Sequence, residues 1–149
     1  MSGVVGHAAI ANSDNYILDM PGTSKESKKT NNRQLPVREW MSQYKHGMIR
    51  VYRLKNQTLA KKIATYADRN YYSTTGSSQK NINIPYAFNY HLYEKPPKSS
   101  YCSKMFFQAY YYGSGSAAVM KPTSGFLAPF HLIGKINKSY APTGTTIDY

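Results

Sequence analysis

Cys102 is the single cysteine of the chain, and its surroundings predict a reactive thiol. It follows Ser100, a good helix N-cap, and falls in the first turn of a helical pattern over residues 101–112. Backbone N–H groups and the helix dipole favour an anion there, so they lower the pKa of a thiol and can stabilise an oxyanion. On spacing alone, a small buried apolar residue near a helix start is the more common explanation.

A nucleophilic thiol needs a neighbouring base, and His7 is the best placed of the four histidines. It lies in a strand-like segment, residues 6–10, whose small side chains leave one face accessible. His46 is typical of a turn, and His91 and His131 have no distinguishing context. His7 is therefore the candidate base.

The residues after His7 predict a β-hairpin that brings an acid to the imidazole. With a turn at residues 12–14, Ala11 pairs with Asn15. The same register places His7 opposite Asp19, and cross-strand partners point to one face, so Asp19 can orient the imidazole. A slip of one residue would separate the two side chains.

The rest of the chain predicts an α+β protein. The expected elements are a hairpin over residues 3–20, an exposed basic loop over 25–33, a helix over 37–44 around Trp40, a strand over 48–54, a helix over Gln57–Tyr71 capped by Asn56 or Thr58, an extended segment over 84–88, and the cysteine helix with Met105, Phe106 and Ala109 as its buried stripe. Residues 1–140 are expected to form one domain, with a flexible tail over 141–149.

Composition narrows the class of protein. One cysteine excludes an internal disulfide and every cysteine-rich zinc site. The sequence contains no run of about 18 apolar residues, so no membrane-spanning helix is predicted. Residues 1–10 do not resemble a signal peptide. The net charge of +12 favours polyanionic partners, such as nucleic acid, anionic lipid or an acidic cell wall, or else serves solubility alone.

Three segments carry a resemblance to a known family. They are Gly6-His7-Ala8-Ala9-Ile10, then Tyr16-Ile17-Leu18-Asp19, then Tyr101-Cys102-Ser103-Lys104-Met105-Phe106. Their order is similar to that of the permuted papain-fold cysteine hydrolases, in the YiiX/YaeF-like branch of the NlpC-type peptidase superfamily. Tyr86-Ala87-Phe88 and Ala109-Tyr110 extend the resemblance, which covers residues 6–113 and, more weakly, continues to 132. Asp19 stands where the family usually has Glu, and the usual upstream Gly-Asp-Ile-type strand is not found.

The resemblance implies a permuted papain-like fold, with an antiparallel sheet packed against the helix that carries the nucleophile. It implies a catalytic triad of Cys102, His7 and Asp19, and a tyrosine after the cysteine, Tyr110 or Tyr112, that lines the site. The implied reaction is cleavage of amide or peptide bonds through a thioester, without a cofactor. The implied substrates are peptidoglycan cross-link peptides, small amides or acyl-lysine bonds, and a secreted or cell-envelope location is favoured over the cytoplasm.

Two other functions stay open. A thioesterase or acyltransferase would use the same triad and pass the thioester to another acceptor, although no long apolar groove is visible in the sequence. Alternatively, the fifteen tyrosines and the basic charge suit a nucleic-acid-binding module. The absence of a recognised binding motif makes nucleic acid the less favoured partner.

Overall fold

A computed structural model of the protein describes residues 6–22, 28–45, 47–115 and 119–148. The elements in chain order are β1 (Ala9–Ala11), β2 (Tyr16–Asp19), β3 (Arg33–Pro36), α1 (Val37–Gln43), β4 (Met48–Arg53), α2 (Gln57–Tyr71), α3 (Cys102–Gly113), α4 (Leu132–Lys135) and β5 (Thr143–Asp148), with 3-10 turns at Pro129–His131 and Lys138–Tyr140. One antiparallel sheet has the order β1-β2-β3, and β4 pairs with β5 in a second. The α+β prediction is confirmed.

Helix α3 runs through the centre of the core. Every residue from Cys102 to Tyr110 is buried, including the predicted stripe of Met105, Phe106 and Ala109. A helix that is apolar on most of its circumference is covered on all sides rather than on one face. Its neighbours are α2 and the sheet that contains β1.

The start of α3 differs from the prediction. Its N-cap is Tyr101 in an extended conformation, and no side chain caps it. Ser100 is instead part of an isolated parallel bridge with Tyr86, and its hydroxyl lies 3.2 Å from the hydroxyl of Tyr71. Tertiary pairing therefore overrides the local capping preference of serine. The bridge brings the Tyr86 segment beside the first turn of α3.

Helix α2 has the predicted bounds, and Asn56 caps it by accepting a hydrogen bond from the Leu59 N–H at 3.0 Å. It packs closely on the end of α3. A Cβ atom at Gly113 would lie 3.0 Å from the Cα of Ile63 and 2.9 Å from the Cβ of Tyr66. Glycine at this position thus allows the two helices to approach.

Two peripheral segments differ from the prediction. The expected tail over residues 141–149 contains β5, which pairs with β4 over six residues from Met48↔Asp148 to Arg53↔Thr143. Threonine-rich sequence suits a strand, but the partner lies almost a hundred positions earlier, so local composition did not reveal the pairing. The expected loop over 25–33 is confirmed over residues 28–32, although Asn31 and Asn32 are buried and β3 begins at Arg33. Residues 25–27 of that loop lie outside the described residues. The predicted turn at His46 and the start of the hairpin at residues 3–5 lie outside the described residues.

Candidate active site

Cys102 is the first residue of α3 and is buried. Its sulfur accepts a hydrogen bond from the backbone N–H of Ala8 and lies 3.8 Å from Oγ of Ser103. Burial raises the pKa of the Cys102 thiol, but the hydrogen bond to His7, the charge of His7 and the Ala8 N–H together lower it below its ordinary value. The surroundings of Cys102 therefore favour its thiolate form.

His7 lies between the thiol and a carboxylate. Its Nε2 is 2.9 Å from Oδ2 of Asp19, and the ring is also hydrogen-bonded to Cys102. Because Nε2 is engaged with Asp19, Nδ1 is the nitrogen left to act on the thiol. Burial alone would lower the pKa of His7, yet the bonds to Asp19 and Cys102 outweigh it and raise the pKa from 6.5 to about 9. The two shifts together favour a thiolate beside an imidazolium.

The hairpin register that brings His7 to Asp19 differs from the prediction. Asp19 pairs with Ala9, and Ala11 pairs with Ile17. The register is shifted by two residues, and an even shift leaves each side chain on the same face of the sheet. His7 consequently reaches Asp19 along the diagonal of the ladder, a separation that an imidazole spans.

Asp19 is completely buried and is surrounded by donors. Arg33, its cross-strand partner on β3, donates from Nε to Oδ1 at 2.7 Å. Nε1 of Trp40 on α1 donates to Oδ2 at 2.9 Å, the oxygen that also bonds His7. Burial raises the pKa of Asp19, but the hydrogen bonds from His7 and Arg33 outweigh it and lower the pKa below the ordinary range. The carboxylate therefore stays ionised and fixes the ring.

Aromatic rings fix the plane of the imidazole. Tyr44 stacks on His7 with ring centroids 5.2 Å apart and an angle of 21° between the planes, and Trp40 lies at 6.4 Å. Arg33, Trp40 and Tyr44 were missed by the sequence analysis as site residues, although Trp40 was expected in the α1 helix. The pattern shows only that α1 is helical, and the β2–β3 pairing is what turns it towards Asp19.

A small cavity of about 20 Å³ opens beside Cys102. Its walls are largely aromatic, and they include Tyr86 and Phe88 from the extended segment together with Phe126 and Pro129 from the loop before α4. The ring of Tyr86 lies over Gly22, where a Cβ would come within 2.9 Å of the ring and where φ is +76°. Glycine is therefore suited to this position both by space and by backbone conformation. Phe126 and Pro129 carry no local sequence signal that would identify them as site residues.

The structure does not bring Tyr110 or Tyr112 to the thiol, so the expectation that one of them lines the site was wrong. At 1.5 Å per residue they lie about 12 and 15 Å along α3 from Cys102. Tyr110 stacks on Phe106 in the core, and Tyr112 lines a separate open groove beside α2. The tyrosines that line the cavity are Tyr86 and Tyr101, and both precede the cysteine in sequence.

Within the described residues, no group of three or more His, Cys, Asp and Glu side chains is arranged to hold a metal ion. In the same part of the chain, no helix combines the length and apolar character required to span a membrane.

A buried thiol with a lowered pKa beside a histidine that a carboxylate orients is typical of cysteine-dependent hydrolases and acyltransferases. The family model for lipoprotein N-acylation proteins of the LnsA-like kind matches residues 1–141, and the chain belongs to this family. It is an enzyme family of the acyltransferase kind, related to the papain-like and NlpC-type proteins. The resemblance is confirmed at that level, whereas the YiiX/YaeF-like branch and the peptidase activity remain predictions.

One curated relative is an uncharacterized 30.3 kDa protein of Bacillus thuringiensis, 51% identical over 144 residues. The alignment covers 95% of this chain and 51% of the relative, so the chain spans about half the length of that protein. No solved structure matches the chain.

The ion pair predicts how the rate of alkylation of Cys102 depends on pH. Alkylation by iodoacetamide should begin well below the pH at which a free thiol ionises, near 8.5. In His7→Ala, the loss of the imidazolium should raise the pKa of the thiol, so that alkylation at pH 7 slows about tenfold for each unit of the shift. His91→Ala, at an exposed histidine, is the matched control. An unchanged pH profile in His7→Ala would contradict the ion pair.

The Asp19 carboxylate is expected to raise the pKa of His7. In the wild-type protein the imidazole should titrate at about 9. Asp19→Asn removes an acceptor that raises this pKa and leaves the Arg33 charge nearby, so the titration should move down towards 6.5. NMR of the His7 ring protons against pH measures both values. An unchanged His7 titration in Asp19→Asn would show that the carboxylate does not control the pKa of the imidazole.

Proposed function

We propose that the chain catalyses acyl transfer through a thioester on Cys102. The observation that carries the proposal is that His7 lies between Asp19, which fixes its Nε2 at 2.9 Å, and Cys102, which contributes to its raised pKa. An anionic sulfur and a protonated base are the states in which this site begins a reaction.

In the first step the Cys102 thiolate attacks the carbonyl carbon of an acyl donor, and the C–S bond forms as the carbonyl oxygen becomes an oxyanion. The oxyanion then collapses and the bond to the leaving group breaks. The leaving oxygen or nitrogen takes the proton from Nδ1 of His7, which acts as the general acid. A thioester on Cys102 and a neutral His7 remain.

Two kinds of donor lie near the developing oxyanion. The first N–H groups of α3 have no partner within the helix, and the helix dipole favours negative charge there. Tyr86 lines the same cavity, and burial together with the neighbouring Cys102 raises the pKa of its phenol to about 12. The hydroxyl therefore keeps its proton at neutral pH and is available as a hydrogen-bond donor.

In the second step an acceptor attacks the thioester carbonyl while neutral His7 takes its proton. The C–S bond breaks, and the thiolate and imidazolium are restored. We assign a primary amine as the acceptor, because the family is described by the N-acylation of lipoproteins and an amine acceptor yields an amide. Water as the acceptor would make the chain the amide or peptide hydrolase that the first resemblance implied.

The thioester can be trapped directly. After a brief reaction with p-nitrophenyl butyrate and an acid quench, the intact mass should increase by one butyryl group, and peptide mapping should place it on Cys102. Cys102→Ser should show no thioester, and His7→Ala should acylate far more slowly, since it loses the ion pair. A folded wild-type protein that never acquires the acyl group would refute the proposal.

The fate of that thioester decides between transfer and hydrolysis. With increasing glycinamide as an acceptor, the butyryl group should appear as the amide, at the expense of butyric acid. If only acid forms at every amine concentration, the chain is a hydrolase and not a transferase.

The hydroxyl of Tyr86 is expected to speed acylation as an oxyanion donor. Tyr86→Phe removes the hydroxyl and keeps the ring over Gly22, so the acylation rate should fall about a hundredfold, as for the loss of one oxyanion donor. The pH at which iodoacetamide begins to react should stay the same, because the His7 pair is untouched. An equal loss in acylation and in alkylation would assign Tyr86 to thiol ionisation instead.

A further inference from the structure

Large aromatic side chains are exposed on two chain segments that line the cavity. Phe88 is 49% exposed, Tyr90 74%, Phe126 41% and Phe130 70%. We call these four residues the aromatic rim. Exposed rings clustered at one place are unusual on a soluble surface and mark a site that meets an apolar partner.

The rim is continuous with the nucleophile. Phe88 and Phe126 are walls of the cavity beside Cys102, and their ring centroids are 5.2 Å apart. Phe126 also stacks on Tyr101, the residue before the nucleophile, at 5.3 Å. Phe130 follows Pro129, another wall of the cavity. A partner that covers the rim therefore covers the entrance to the site.

Buried polar contacts hold the rim outward. Lys104 is fully buried two residues along α3 from Cys102, and its Nζ donates to Oδ1 of Asn89 at 3.1 Å and to the carbonyl oxygen of Ser99 at 2.9 Å. Asn89 lies between Phe88 and Tyr90 in sequence, and its amide donates to Oγ of Ser99 at 3.1 Å. The segment is thus fixed to the catalytic helix with its aromatic side chains still in solvent.

The chain segments that form the rim are basic. Residues 86–101 and 119–140 together contain the lysines at 95, 98, 121, 135 and 138 and a single acid, Glu94. Glu94 is already paired with Lys104, 3.5 Å away. Exposed rings on segments with a net positive charge match a surface that is apolar beneath and anionic at its face, which is the character of a bilayer of acidic phospholipids.

The size of the cavity adds a further argument. About 20 Å³ is room for roughly one water molecule and not for an acyl chain. A long-chain donor can place its carbonyl at Cys102 only if the chain itself stays outside, across the aromatic rim.

We propose that the aromatic rim docks on a bilayer that contains anionic phospholipid, with its rings at the level of the headgroups. The carbonyl of a lipid acyl group then reaches Cys102 while the chain remains in the bilayer. The role of the docked lipid as a donor rests on the proposed acyl transfer, whereas docking itself does not require that chemistry.

The test uses the Cys102→Ser protein, which cannot form a thioester, so that the binding result is independent of the proposed function. Sedimentation with phosphatidylglycerol vesicles should show binding that weakens as salt is raised, and vesicles of phosphatidylcholine should bind much less. Adding Tyr90→Ser and Phe130→Ser should weaken binding to phosphatidylglycerol at least tenfold, because two exposed rings lose their place at the interface. Met48→Ser, at a residue that is 64% exposed on β4, is the matched control and should bind like its parent.

A spectroscopic measurement supplies the second readout. In Phe130→Trp, emission should shift to the blue on addition of phosphatidylglycerol vesicles, because the new indole leaves water, while buried Trp40 provides a constant background. Equal binding by the Tyr90/Phe130 variant and its parent would show attraction by charge alone and overturn the proposal. Failure of the parent to bind phosphatidylglycerol vesicles, or an unshifted Phe130→Trp emission in their presence, would overturn it as well.

Discussion

The buried carboxylate of Asp19 is the constraint on which the site depends. A charge without solvent is tolerated only when donors surround it, and here they come from Arg33 on β3, Trp40 on α1 and His7 before β1. The carboxylate that joins these elements through hydrogen bonds also sets the orientation of the imidazole. Folding of the three-stranded sheet and alignment of the base are consequently one event, and a misplaced strand would disturb both.

Helix α3 couples the core to the chemistry. Because its first nine residues are all buried, the helix cannot shift without disturbing the packing around it. Cys102 therefore presents its sulfur to His7 from a rigid support, beside N–H groups that belong to the helix end. Lys104 on the same helix also fixes the segment that carries Phe88, so nucleophile and entrance share one framework.

The triad by itself does not distinguish a hydrolase from a transferase, since both pass through the same thioester. The resemblance to papain-like peptidases favoured peptide cleavage. The family to which the chain belongs favours acyl transfer instead. The small cavity and the exposed aromatic rings agree with a substrate whose bulk lies outside the protein.

The amino-acid sequence by itself determined the local parts: the helices α1, α2 and α3, the strand β4, and the residue types Cys102, His7 and Asp19 in an order similar to that of a known family. Only the tertiary structure decided how those parts meet. The hairpin register moved by two residues, Ser100 paired with Tyr86 instead of capping α3, and residues 143–148 joined a strand far away in sequence. Arg33 and Phe126 lie at the site, while Tyr110 and Tyr112 lie along the helix away from the thiol.

Periodicity and capping depend on neighbours in the chain, so the sequence predicts them. Strand pairing and the walls of a cavity depend on contacts between residues that only the packed core brings together.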